Sequence, residues 1–218
     1  MKSMALKKQV AAKRRVWNKG VEVGKRDAFT PAEVKRIRGI LADRGASGLR
    51  DLALFSVAID TMLQGPELLA LTAKDVQLPN GTVRSVIKVA RARRKSPVRC
   101  ALSERTAKAL GKWIAVSSAK GKDYIFPGRD NGRPRPMSGR QMHRLLKSWV
   151  TEAGLDPKKY GTESLRRTKA LHILNSTGDL ETVRVLLGHE KIESTSHYLS
   201  IAKRTKSDPI AISRAFDI

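Results

Sequence analysis

The sequence predicts a mainly α-helical domain with one small antiparallel β-sheet. Three observations carry this. Apolar residues recur at helical spacing along most of the chain, capping residues stand where those patterns begin, and two neighbouring stretches are rich in β-branched residues. With 218 residues, 40% of them hydrophobic, the chain has apolar side chains enough for one core and is too apolar for wholesale disorder.

Residues 1–28 show no sustained periodicity and read as a basic, flexible arm. Order is expected from Phe29, where Thr30-Pro31-Ala32-Glu33 supplies a capping threonine, a proline at the first helical position and a glutamate three residues after the cap. Val34, Ile37, Ile40 and Leu41 continue as an apolar face, interrupted by Gly45 and Gly48. Leu49 to Leu63 reads as a more buried helix, with Leu52, Phe55, Ile59 and Leu63 along one side, and a short helix is expected from Pro66 to Leu71. Val83–Val89 and Pro97–Leu102 are the β-rich stretches, joined by Ala90–Ser96. Ser103 opens a helix through Trp113, Tyr124-Ile125-Phe126-Pro127 is extended, and Ser138 caps a helix to Ala153 that Gly154 stops. Further helices are expected over Glu163–Leu174 and Asp179–Leu187, the second closed by Gly188, and a last one carries Tyr198. Residues 29–205 thus form the domain, and 206–218 a C-terminal tail.

Charge narrows the function. Lys and Arg number 44 against 20 Asp and Glu, a net charge of +24, which favours a polyanionic partner, with nucleic acid the leading candidate. The arm holds nine basic residues, Arg14 and Arg15 among them, against two acids, so most of the excess lies elsewhere. Arg84 to Leu102 carries seven basic residues and no acid, including Lys88, Arg91 and Arg94. Arg129 to Lys147 carries six against Asp130 alone, including Arg133, Arg135, Arg140 and Arg144. Solvated basic faces are the plain alternative; three like-signed clusters favour phosphate contact, with an affinity that falls steeply with salt. One cysteine, Cys100, excludes a disulfide framework and a cysteine-based zinc site, and no metal or cofactor is expected. The N-terminus lacks the apolar stretch of a secretory signal, and no apolar run approaches the roughly 20 residues that span a bilayer, so a cytoplasmic protein without membrane contact is expected.

The C-terminal third holds the most informative spacing: Glu163-Ser164-Leu165-Arg166-Arg167 at a helix start, Leu186-Leu187-Gly188-His189 at a helix end, and Tyr198 nine residues beyond His189. Singly, Arg166 reads as a surface charge, Gly188-His189 as a helix cap and Tyr198 as a half-buried core aromatic. Together, on this basic background, they resemble the catalytic domain of the tyrosine recombinase (phage integrase) family, with its His-x-x-Arg box, Leu-Gly-His box and nucleophilic tyrosine. The stretch Leu63 to Asp75 resembles the first arginine box, Val83–Leu102 the hairpin that delivers a lysine, and Tyr124–Pro127 a common Leu/Ile-Phe-Pro segment. The resemblance covers residues 29–205 in order.

It implies a tyrosine recombinase catalytic-domain fold, double-stranded DNA as partner, and a 3′-phosphotyrosyl link formed without metal or external energy source. Tyr198 would be the nucleophile, Arg166 a phosphate clamp, and His189 a phosphate donor or proton-transfer partner. The chemistry asks for such a set, because a phenol with pKa about 10 needs deprotonation, and charge growing on phosphoryl oxygens needs preorganised donors. Two positions depart from the pattern. Gln64 stands where the first catalytic arginine belongs, and Glu163 is an anion where the second box usually has a donor. Arg93 and Lys95 both fall near the hairpin lysine, and arginine is a poor general acid.

The upstream domain that closes around DNA in this family has no counterpart in the 28 residues before Phe29, which shifts the expected grip to the arm, where Trp17 could stack, and to the two internal basic clusters. Three readings follow: a DNA-binding relative with weakened or lost cleavage, a fully active recombinase, and an RNA- or ribosome-associated basic protein with coincidental motifs. The family resemblance also implies a nucleoid-associated protein of a bacterial or phage setting. Assembly on DNA, with copies of itself or another recombinase, is expected, and Ile210, Ile212 and Phe216 of the tail could pack on a neighbouring protomer or on their own domain.

Overall fold

A computed structural model of the chain describes residues 26–90, 97–128 and 134–199. The order of elements is α1 (Pro31–Asp43), a 3-10 turn (Gly45–Gly48), α2 (Leu49–Thr61), α3 (Gly65–Leu69), α4 (Ala73–Val76), β1 (Val86–Val89), β2 (Val98–Ala101), α5 (Glu104–Ser117), α6 (Gly139–Glu152), α7 (Thr162–Thr177), α8 (Leu180–Leu187) and α9 (Ile192–Leu199). The mainly helical architecture with a small antiparallel sheet is therefore as expected.

Local chemistry sets several boundaries. The Thr30 hydroxyl accepts the Glu33 amide at 3.2 Å, while the Thr30 amide donates to the Glu33 carboxylate at 2.7 Å, the reciprocal box that starts α1. Ser103 and Ser138 cap α5 and α6 with their hydroxyls, accepting from the amides of Thr106 and Gln141. Other boundaries differ from expectation. The second helix stops at Thr61 because Met62 turns left-handed with φ of 50°, and α5 runs on to Ser117. The first strand begins only at Val86, since Val83 makes an isolated bridge with Gln77. Chain order starts before Phe29: the Asp27 amide donates to the Lys159 carbonyl at 2.8 Å.

Two apolar clusters underlie the domain. The larger joins α1, α2, α5, α6 and the sheet around fully buried Phe55, Trp149, Leu54 and Phe126. Phe29 stacks on Tyr160 at 4.3 Å and meets Phe55 edge-on at 6.2 Å, so the residue before α1 fastens it to the segment before α7. Asp51 is buried in this body; its carboxylate accepts from the Trp149 indole at 2.9 Å and from Arg50 at 2.8 Å. The smaller cluster gathers Met62, Ala170, Val183, Leu187 and Leu199 from α2's end, α7, α8 and α9, with Tyr198 packed against it. Met62 thus places the end of α2, two residues before Gln64, against the body that carries Tyr198.

In the sheet, Ile87 pairs with Cys100 and both face the core, while Lys88 pairs with Arg99 and both are exposed. Like charges directly opposite on one face repel.

Candidate active site

Helix α7 is the platform. Its start is fixed by the Gly161 amide donating to the Ser164 hydroxyl at 3.0 Å, and by Thr168, whose hydroxyl donates to the Ser164 carbonyl at 2.7 Å and accepts the Phe29 amide at 2.9 Å. This ties the helix to the main core. Lys169 then donates to the Asp60 carbonyl at 2.9 Å, tying it to α2 as well. Three side chains of the first turns converge on Tyr198: Glu163, Arg166 and Arg167.

Arg166 is 5% exposed, so it is no surface charge. One guanidinium nitrogen donates to the Leu187 carbonyl at 2.8 Å, at the carbonyl end of α8 where the helix dipole favours a cation. Its charge centre lies 5.5 Å from the centroid of the Tyr198 ring. Arg167, 8% exposed, approaches the same ring at 5.1 Å and donates to the Arg26 carbonyl. The Nε atoms of both arginines are buried with no hydrogen-bond partner among the described residues. Two buried guanidiniums with spare donors beside one phenol form an anion-receptive pocket.

Gly188 closes α8 in the left-handed region, with φ of 66°, and turns His189 inward. Its amide bonds back to the Arg184 carbonyl at 2.9 Å, and Arg184 donates to the His189 carbonyl at 2.6 Å. His189 Nδ1 sits 3.0 Å from the hydroxyl of fully buried Thr195, and its ring meets Tyr198 edge-on at 5.5 Å. Gly188-His189 therefore caps α8 and also sets the His189 ring beside Tyr198.

Tyr198 is half-buried, and its hydroxyl donates to the Glu163 carboxylate at 3.2 Å, with the Glu163 carbonyl at 3.5 Å. Burial pushes its pKa well above the ordinary phenol value and the Glu163 charge pushes further, against the pull of Arg166 and Arg167. The structure thus brings Tyr198, Arg166, His189 and Glu163 together and adds Arg167. Spacing pointed only to the first arginine of the Arg-Arg pair; the pair itself was the available signal.

Gln64 is exposed at the start of α3, its backbone amide donating to the Glu67 carboxylate at 2.9 Å. Arg14, Arg15, Arg91, Arg93, Arg94, Lys95, Trp17 and Arg133 lie outside the described residues, as does the tail. Lys88, Arg135, Arg140 and Arg144 are exposed. Arg135 and Arg144 line a hollow of about 280 Å³ beside the α6 cap, and Arg144 also lines an adjoining one of about 300 Å³ with Arg50. Among the described residues no carboxylate lines either hollow. Arg50 lies far in sequence from the basic blocks and only folding brings it here. Among the described residues no cluster of His, Cys, Asp and Glu could hold a metal, and no helix is long and apolar enough to cross a membrane.

Residues 27–205 match the model of the phage integrase family. The chain belongs to that family. The tyrosine recombinase XerC of Xanthomonas axonopodis pv. citri (strain 306) is 35% identical over 151 residues, covering 69% of this chain and 47% of XerC. XerD of Haemophilus ducreyi is 32% identical over 162 residues, covering 73% and 53%. This phage integrase family chain spans about half the length of the curated relatives it matches. Its fold is similar to that of the XerA recombinase crystal structure, with a TM-score of 0.67 and 23% identity over 88% of this chain and 65% of XerA. The catalytic domain of bacteriophage HP1 integrase aligns with a TM-score of 0.54 and 17% identity, over 88% of this chain and 96% of that domain. The expected tyrosine recombinase catalytic-domain fold is the one present.

Proposed function

We propose that this chain binds double-stranded DNA and serves DNA recombination and integration as a tyrosine recombinase-type protein whose strand cleavage is weak. The observation that carries the proposal is the setting of Tyr198. Its ring is enclosed by Arg166, Arg167 and His189, the cations and donor that an attacked phosphodiester needs, yet its hydroxyl is held by an anion. In this reading Tyr198 attacks the phosphate and forms a 3′-phosphotyrosyl link, Arg166 clamps a phosphoryl oxygen, and His189 donates to the phosphate or passes a proton. Gln64 brings no charge to the position of the first arginine. Losing one preorganised donor costs about 10²–10³ in rate in other enzymes.

Lys88, Arg135, Arg140 and Arg144 hold the DNA backbone, joined by Arg50 and Arg99, and by Arg14, Arg15, Arg91, Arg94 and Arg133. Arg93 or Lys95 stands in for the hairpin lysine. A solved structure of the XerH recombinase is bound to its difH DNA substrate; its fold is similar, with a TM-score of 0.67 over 88% of this chain, which supports duplex DNA as the partner. The protein assembles on DNA with copies of itself or with another recombinase, as a cytoplasmic, nucleoid-associated component. Full activity is the second reading, favoured by the joint placement of Tyr198, Arg166 and His189.

Covalent trapping on nicked duplexes drawn from DNA flanking the gene tests both. A faint denaturation-resistant adduct is expected from the unaltered chain, none from Tyr198→Phe, and an increase of about 10²-fold or more from Gln64→Arg. An adduct from the unaltered chain as abundant as that from Gln64→Arg establishes the active reading instead.

A further inference from the structure

The contact between Tyr198 and Glu163 has a chemical use. We propose that Glu163 is the proton acceptor for Tyr198 and hence a catalytic residue of this chain, an inference that rests on Tyr198 being the nucleophile. The two oxygens lie 3.2 Å apart, within the reach over which a positioned base takes a proton. Glu163 is exposed in the first turn of α7, so water reaches its carboxylate and carries the proton onward. Among the described residues, the charged and titratable groups facing the Tyr198 ring are Arg166 and Arg167 from α7 and His189 from the end of α8, with Glu163 at the hydroxyl. Of these, only Glu163 carries a carboxylate. Burial keeps the phenol protonated until a base acts, so its proton leaves as the new bond forms rather than beforehand.

The step balances. The Oη–H bond of Tyr198 breaks as an O–H bond forms on Glu163; the Oη–P bond forms; the P–O5′ bond breaks, and the 5′-oxygen leaves as a hydroxyl with a proton from water. Glu163 later returns its proton to water. Charge moves from the carboxylate to the phenol oxygen, so the group that would repel an incoming phosphate is neutral when the bond is made. The anion that weakens phosphate binding in the resting site thereby becomes the base of the reacting one.

A DNA-free test separates this proposal from the cleavage reading. The unaltered chain and Glu163→Gln are treated at pH 7 with an aryl sulfonyl fluoride, which bonds to a phenol oxygen and expels fluoride. Peptide mass spectrometry follows the rate at each of the three tyrosines. Tyr124, partly exposed, is the internal reference, and circular dichroism confirms folding. Labelling of Tyr198 is expected to slow by at least about tenfold in Glu163→Gln, with Tyr124 unchanged and Glu163→Asp recovering part of the rate. Equal or faster labelling in the Gln variant overturns the proposal, making Glu163 a latch or a bystander. So does an unaltered chain in which Tyr124 is labelled and Tyr198 is not. Normal labelling without strand cleavage leaves Glu163 as the base and points the fault at Gln64 or the DNA.

Discussion

Arg166→Met should leave the protein as stable as before while weakening its response to DNA. Arg166 is 5% exposed and donates to the Leu187 carbonyl at 2.8 Å, with its charge 5.5 Å from the Tyr198 centroid. Losing a hydrogen bond from a charged donor costs about 1.5–3 kcal/mol. Losing a cation–π contact costs about 0.5–2 kcal/mol more. Against this stands a buried guanidinium with, among the described residues, no carboxylate bonded to it and an Nε without a partner. The effective penalty for burying an ion is several kcal/mol, and methionine fills a similar volume without it. The terms nearly cancel, and a net change within about 1 kcal/mol is expected, against about 3–5 kcal/mol for Phe55→Ala in the main core.

Chemical denaturation reads this difference directly. For a protein of this size 1 kcal/mol moves Tm by about 2–4 °C, so Arg166→Met should melt within a few degrees of the unaltered chain. Short duplex DNA should raise the Tm of the unaltered chain more than that of the variant, because bound ligand stabilises in proportion to its affinity. A loss above about 3 kcal/mol would refute the reasoning: Arg166 would then be a structural tie between α7 and α8, not a charge held uncompensated for a phosphate.

Three further outcomes are expected. Lys88→Ala with Arg99→Ala removes a like-charged pair facing one side of the sheet, so the double variant should melt no lower than the unaltered chain and its salt slope for duplex binding should fall by about two. Arg144→Ala, exposed between the two hollows on α6, should reduce that slope by about one without changing stability, as read by fluorescence anisotropy across a salt series. Burial alone would raise the Asp60 carboxyl, but bonds from Thr106 and Ser103 and the charge of Lys169 outweigh it and hold its pKa below the ordinary value. Its contribution is therefore present above the unfolded carboxylate value of about 4 and lost as pH falls below it; Asp60→Asn should be less stable at pH 7 and show a flatter acid limb in denaturation midpoints.

What could be read from the sequence was what is settled locally. The α1 box of Thr30 and Glu33, the caps at Ser103 and Ser138, and the Gly188 stop each depend on residues within four positions, and each stands where expected. Helix ends set by distant packing did not follow the pattern. Met62 is apolar and continues the α2 periodicity, yet it turns left-handed to join the smaller cluster with Leu187 and Leu199. The site shows the same division. Tyr198, Arg166 and His189 were legible as spaced motifs, but Glu163 and Tyr198 are 35 residues apart and meet only because α9 packs on α7. Arg50 reaches the α6 hollow through α2, and no linear spacing carries that information.

The same packing explains why the departures at Gln64 and Glu163 differ in kind. Gln64 is exposed at the start of a short helix, so its replacement costs the fold little and its deficit is one of charge alone. Glu163 bonds the Tyr198 hydroxyl, the oxygen proposed to attack, so in that reading changing it alters the nucleophile as well as the pocket. A single arginine at position 64 can therefore raise cleavage without touching tyrosine reactivity, whereas substitutions at position 163 move both. If rates of tyrosine labelling and of strand cleavage vary independently across these two positions, phosphate clamping and proton removal are separable in this pocket; if they vary together, Tyr198, Glu163 and the arginines act as one unit.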